Sequence, residues 1–74
     1  MMITVKLFAS LRRGRFDIEM REYAAPITAG EVLRGLGIRE EEVSIIFING
    51  RHAGFNSRLS GGDTAAFFPP IGGG

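Results

Sequence analysis

Cysteine and tryptophan are absent from this 74-residue chain, and histidine and tyrosine occur once each. Without cysteine no disulfide can staple a small fold, and a single histidine, His52, cannot build a structural metal site without companions. A hydrophobic core must carry the structure. At this size folding removes only roughly 60% of the surface that the unfolded chain exposes, so its stability is modest. An excess of one charge is missing too. Nine Lys and Arg stand against eight Asp and Glu, a formal net charge of +1, which offers no broad basic field for nucleic acid. No apolar run approaches the roughly 20 residues of a membrane span. The stretch Met1-Met2-Ile3-Thr4-Val5-Lys6 lacks the charged start and small-residue cleavage site of a signal peptide. The expectation is one cytoplasmic domain that binds neither nucleic acid nor membrane. What is present is an ordinary globular composition, 45% apolar and 23% charged.

Ile3, Val5 and Leu7 alternate with Thr4, Lys6 and Phe8, the period-two pattern of a strand with one buried face. Phe8 falls on the outward parity. Residues 9–15 contain Arg12, Arg13, Gly14 and Arg15 and read as a solvated, hairpin-type connection. In Phe16-Asp17-Ile18-Glu19-Met20-Arg21 apolar and charged residues alternate cleanly, which predicts a second strand antiparallel to the first. After Pro26, Thr28-Ala29-Gly30-Glu31 matches a capping box. Val32, Leu33 and Leu36 give the helix that follows one apolar stripe, and Gly37 stands where a left-handed helix stop is expected, with Ile38 as the apolar residue beyond. About eight residues of helix cannot hold themselves in water, so the helix must lie against the hairpin. Arg39-Glu40-Glu41-Glu42 reads as a polar loop or a single turn. Ser44-Ile45-Ile46-Phe47-Ile48 is a nearly continuous apolar run, taken with Ile46 and Ile48 inward, and Asn49-Gly50 directly after it signals a tight hairpin returning through Arg51-His52-Ala53. Leu59 anchors the irregular stretch that follows, and Gly61-Gly62-Asp63 turns the chain into a last strand, residues 65–68. The expected core is Ile3, Val5, Leu7, Phe16, Ile18, Val32, Leu33, Leu36, Leu59 and Phe67. One helix must cover one face of a small mixed sheet, an α+β arrangement.

The chain finishes Phe67-Phe68-Pro69-Pro70-Ile71-Gly72-Gly73-Gly74. Prolines cannot continue a ladder, and glycines cost the most backbone entropy to order, so a stiff base carries a bare thread suited to a place too narrow for a Cβ. The chemistry of such a tip is the α-carboxylate of Gly74. In this ending, and in Ile48-Asn49-Gly50-Arg51 and Leu59-Ser60-Gly61-Gly62-Asp63 before it, the sequence resembles the MoaD/ThiS family of ubiquitin-like sulfur carriers. Phe-Phe-Pro-Pro followed by an aliphatic residue looks like the MoaD branch, the small subunit of molybdopterin synthase.

That resemblance implies a β-grasp fold over residues 1–68, a sheet of four to five strands with the first and last strands parallel at its centre, and a flexible tail over 69–74. It also implies a carrier rather than an enzyme. The Gly74 carboxylate would be adenylated by a ubiquitin-activating-type adenylyltransferase of the MoeB/ThiF kind and then thiocarboxylated. The partner would use ATP, and this chain would bind no cofactor and no metal. Sulfur would pass to a substrate on the MoaE-like large subunit of molybdopterin synthase, or on a thiazole synthase in the thiamine branch. The other readings are a modifier joined to lysines through Gly74 and a ubiquitin-like domain with an inert tail. Partner contacts are expected at Phe8, Phe68, Pro69, Pro70, Ile71, Gly72 and Gly73, with Phe8 and Phe68 sharing an exposed face near the tail. His52 has no Ser, Cys or carboxylate constellation around it in the pattern and reads as a surface or interface residue.

Overall fold

The computed structural model describes residues 1–70. Five strands, β1 (Met2–Leu7), β2 (Ile18–Glu22), β3 (Ile45–Ile48), β4 (Arg51–Ala53) and β5 (Thr64–Phe68), form one sheet in the order β2-β1-β5-β3-β4, and helix α1 (Ala29–Gly35) lies between β2 and β3 in the chain. Strands β1 and β5 pair in parallel while the other three pairings are antiparallel. This is the β-grasp arrangement. Among the described residues no helix is long and apolar enough to cross a membrane.

Local chemistry explains why a helix of seven residues forms at all. Its first turn leaves N–H groups without helical partners. The Glu31 N–H donates to Thr28 Oγ1 (3.2 Å) and the Thr28 N–H donates back to Glu31 Oε1 (2.8 Å), completing the capping box. Two more N–H groups are taken by the loop that follows β4, Ala29 donating to the Ser57 carbonyl and Gly30 to that of Phe55. Gly30 allows this approach, since a Cβ there would sit 3.0 Å from the Phe55 oxygen. At the other end Gly37 takes φ +74°, and the N–H groups of Gly37 and Ile38 close on the carbonyls of Arg34 and Leu33 at 3.0 Å. The expected left-handed stop is therefore a Schellman motif, with Ile38 buried behind it.

Between sheet and helix lie Ile3, Val5, Leu7, Leu11, Ala29, Val32, Leu33, Ile38, Val43, Ile46, Leu59, Ala65 and Phe67. Phe16 and Leu36 pack against this core half-buried. Ile18 does not join it: 62% of its surface is exposed, and Met20 is as open. Antiparallel partners share a face, and β2 pairs Ile18 with Lys6 and Met20 with Thr4, the outward positions of β1. The alternation in β2 is real but turned the other way, with Glu19 and Arg21 on the helix side, where the Arg21 guanidinium lies over the Phe16 ring. Leu11 supplies what Ile18 does not. It sits in a 3-10 turn, Ala9–Arg12, and is 2% exposed.

Truncation reports this arrangement directly. Leu33→Ala and Leu11→Ala should each lower the unfolding free energy by about 2–5 kcal/mol in urea titrations, whereas Ile18→Ala should change it by less than about 1 kcal/mol. A large loss at Ile18 would mean that β2 buries its other face.

Candidate functional site

The sheet face away from α1 is uncovered. Along it the outward positions of the strands are Met2, Thr4 and Lys6 on β1, Thr64, Ala66 and Phe68 on β5, Ile45 and Phe47 on β3, and His52 on β4. Parallel pairing runs Leu7 against Phe67, so the next residues on each strand, Phe8 and Phe68, stand side by side. Their rings stack with centroids 4.2 Å apart and planes within 10°. Phe47 meets Phe68 edge to face at 5.8 Å, and His52 tilts onto Phe47 at 4.7 Å. A row of four rings thus crosses β1, β5, β3 and β4. The phenylalanines are half-buried by one another and His52 is exposed. Aromatic rings with one free edge, beside a small exposed apolar surface, are suited to docking another protein.

Two of the arginines near the first turn are tied into this end of the sheet rather than simply solvated. Arg12 donates from Nε to the Leu7 carbonyl (2.9 Å), lies 3.4 Å from Asp17 Oδ1, and holds its guanidinium carbon 5.5 Å from the centre of the Phe8 ring. That cation–π contact continues the row by one charged group. Arg15 donates to the carbonyls of Leu11, Leu36 and Gly37 (3.1, 3.2 and 3.3 Å), joining the 3-10 turn to the C-terminal end of α1. It is a structural clamp. Arginine with its several donors in one plane suits this role better than lysine.

The last strand is secured up to its final residue. The Phe8 N–H donates to the Phe67 carbonyl (3.2 Å) and the Ser44 N–H to that of Phe68 (2.8 Å). Pro69 and Pro70 then end the pairing, as residues without an N–H must. They line a groove with Ser10, Arg13, Arg15, Arg39, Glu41 and Glu42. In this groove the backbone N–H of Arg39 donates to Glu42 (2.9 Å) and holds its carboxyl below the ordinary range. At the opposite end of the sheet Asn49 and Gly50 both take positive φ (53° and 77°), as the tight hairpin requires. The Asn49 amide also receives the Thr64 N–H and donates to Asp63, each at 2.9 Å, which aligns the start of β5 with β3.

Of the residues singled out from sequence, Phe8, Phe68, Pro69 and Pro70 are brought together at one end of the open face, and His52 is linked to them through Phe47. Phe47 was legible but not singled out: with Ile46 and Ile48 inward, parity sends it outward beside His52. Ile71, Gly72, Gly73 and Gly74 lie outside the described residues. Among the described residues no group of three or more His, Cys, Asp or Glu is placed to hold a metal ion.

A model of the ThiS family matches residues 5–74. Among solved structures the chain is similar to SAMP1 from Haloferax volcanii, 24% identical with 100% of both chains covered and a TM-score of 0.76; another structure of that organism bears the name small archaeal modifier protein 1. It is similar to the HVO 2177 protein of the same organism, 28% identical over 100% of this chain and 87% of that one, with a TM-score of 0.78. It is also similar to a chain in the complex of subunits 1 and 2 of the molybdopterin-converting factor from Helicobacter pylori, 22% identical over 100% of both chains, with a TM-score of 0.66. No curated protein matches it.

The stack itself is measurable. A double-mutant cycle built from Phe8→Leu and Phe68→Leu should return a coupling of about 0.5–1.5 kcal/mol in unfolding free energy. Strict additivity of the two single changes would show that the rings do not stack in solution.

Proposed function

The chain belongs to the ThiS family of ubiquitin-like sulfur carriers, and we propose that it is a carrier whose Gly74 carboxylate is activated, sulfurated and used in molybdopterin synthesis as the small subunit of molybdopterin synthase. The observation that carries this reading is the family match running through residue 74, joined to an uncovered aromatic row that ends at Phe68, directly before Pro69-Pro70. The likeness to the H. pylori complex of subunits 1 and 2 of the molybdopterin-converting factor favours the molybdopterin branch. Within the family the thiamine branch uses the same chemistry.

An unactivated carboxylate is a poor acyl donor, and covalent activation divides one hard transfer into easier steps. On the adenylyltransferase the Gly74 carboxylate attacks the α-phosphorus of ATP and pyrophosphate leaves. Hydrosulfide supplied by the sulfur donor then attacks the acyl carbon, AMP leaves, and a thiocarboxylate remains. The large subunit receives that sulfur. This chain contributes the reactive end, a glycine run that fits where a side chain would clash, and a surface that docks on each partner in turn. The likeness to small archaeal modifier protein 1 favours a second reading, in which the same activated carboxyl is joined to lysines of other proteins.

Intact mass separates the two. After incubation with ATP, the activating enzyme and a sulfur donor, a fraction of the protein should show one oxygen replaced by sulfur at Gly74; recovery of Gly74 in amide linkage to lysine would instead establish the modifier. Gly73→Val, or one residue appended after Gly74, should abolish the reaction while leaving the unfolding curve unchanged. Phe68→Ala should weaken binding to the adenylyltransferase by about 2 kcal/mol or more, as loss of a central aromatic anchor does. Unchanged affinity would place the docking surface elsewhere.

A further inference from the structure

The open face has a hollow as well as a row of rings. Its outward positions on β5 are Thr64, Ala66 and Phe68, and the central one carries only a methyl group. Ala66 lies opposite Lys6 on one side and Phe47 on the other. Side chains at such paired positions leave the sheet about 5 Å apart, so a long residue on each flank and an alanine between them leave space. That space is about 300 Å³, lined by Lys6, Phe8, Phe47, Gly50, Thr64 and Ala66. It stands at the bottom of the roughly 300–1,000 Å³ range of small-molecule pockets, a size that suits a side chain better than a cofactor.

Its walls are braced before anything arrives. Phe8 is stacked on Phe68, and Phe47 is held between Phe68 and His52. A preformed hollow spares the binding partner the entropy of ordering it. Lys6 is half-buried and forms no ion pair among the described residues. A lysine whose stem lines an apolar wall keeps its ammonium at the rim, where it attracts a carboxylate. Arg12, paired with Asp17, lies over the Phe8 ring at the edge of the same region, so Lys6 is the unpaired charge on the hollow itself among the described residues. A second copy related by a two-fold axis through the hollow would bring Lys6 against its own counterpart.

We propose that the hollow over Ala66 is a socket for one aliphatic or aromatic side chain of the activating partner, and that an Asp or Glu beside that side chain pairs with Lys6. The assignment rests on the carrier reading, and it adds the chemistry that the partner must present. Phe68 gives the surface its area; Ala66 and Lys6 give it selectivity, since a partner without the neighbouring carboxylate leaves an ammonium partly desolvated and unpaired.

The test titrates the purified adenylyltransferase against the full chain at two salt concentrations, with sedimentation and thermal unfolding of each variant alongside. Ala66→Leu fills the hollow from the solvent side and should raise Kd about 30-fold or more, on the scale of a lost anchor, with unfolding unchanged; Ala66→Ser should bind like the parent. Lys6→Gln, which leaves the hollow open, should raise Kd about tenfold at low salt, with the difference shrinking at high salt. Parental affinity in Ala66→Leu overturns the socket, and an unchanged salt dependence in Lys6→Gln overturns the carboxylate. Self-association that Ala66→Leu abolishes would make a second copy the occupant and also overturn the proposal. Failure of the socket alone leaves Phe68→Ala impaired and the sulfur mass intact. Absence of that mass in the parent protein is the separate failure of the carrier reading.

Discussion

The parallel pairing of β1 with β5 is the constraint on which the rest depends. It brings two segments from opposite ends of the chain to the middle of one sheet. A parallel pair needs a crossover connection, and here that connection contains the helix, which is thereby delivered to one face. The same register sets Phe8 beside Phe68 and aims the chain out of the sheet at Pro69. Core, open face and tail exit are therefore three consequences of one alignment. The hydrogen bonds of Thr4 to Asp63 and Phe8 to Phe67 fasten it at both ends.

Because the helix covers one face only, the two faces of the sheet do different work. Ile3, Val5, Leu7, Ile46, Ala65 and Phe67 vanish under α1, while the residues between them in the chain stay in reach of solvent. A sheet exposed on one side ordinarily carries polar residues there. This one carries Ile18, Met20, Phe8, Phe47 and Phe68, with Lys6 among them. Ile18 and Met20, more than half exposed, add little to stability, and the phenylalanines add to it through their contacts with one another.

The small helix shows how the fold manages without disulfides or metal. Seven residues cannot nucleate a helix by themselves, and every end of α1 is held: the capping box at Thr28, the loop carbonyls at Ser57 and Phe55, the glycine stop at Gly37, and the Arg15 clamp across Leu36 and Gly37. Arg15 also grips Leu11, so one side chain links the turn that carries a core leucine to the helix that covers it.

Features set by neighbouring residues were legible in the sequence by itself. The Thr28–Glu31 box, the stop at Gly37, the Asn49-Gly50 turn and the alternation of β1 each depend on a few adjacent residues and on backbone preferences that travel with them, so the α+β layout and the order of elements along the chain could be read in advance, while the central parallel pair came from the family resemblance. The aromatic end of the site was legible for the same reason, through the parity of Phe8 and Phe68 and the prolines that follow. What only the tertiary structure decided is which side of an alternating strand is buried. In β2 the alternation separates Phe16, Ile18 and Met20 from Asp17, Glu19 and Arg21, and pattern by itself favours burying the apolar set; the choice is made by hydrogen-bond register against β1, which sends Ile18 and Met20 outward. Leu11 was hidden in an arginine-rich turn because a single apolar residue has no period, and its burial comes from the 3-10 turn folding under the sheet. The socket over Ala66 was equally invisible: it exists because three strands from distant parts of the chain set a long residue, a methyl group and a ring in one row.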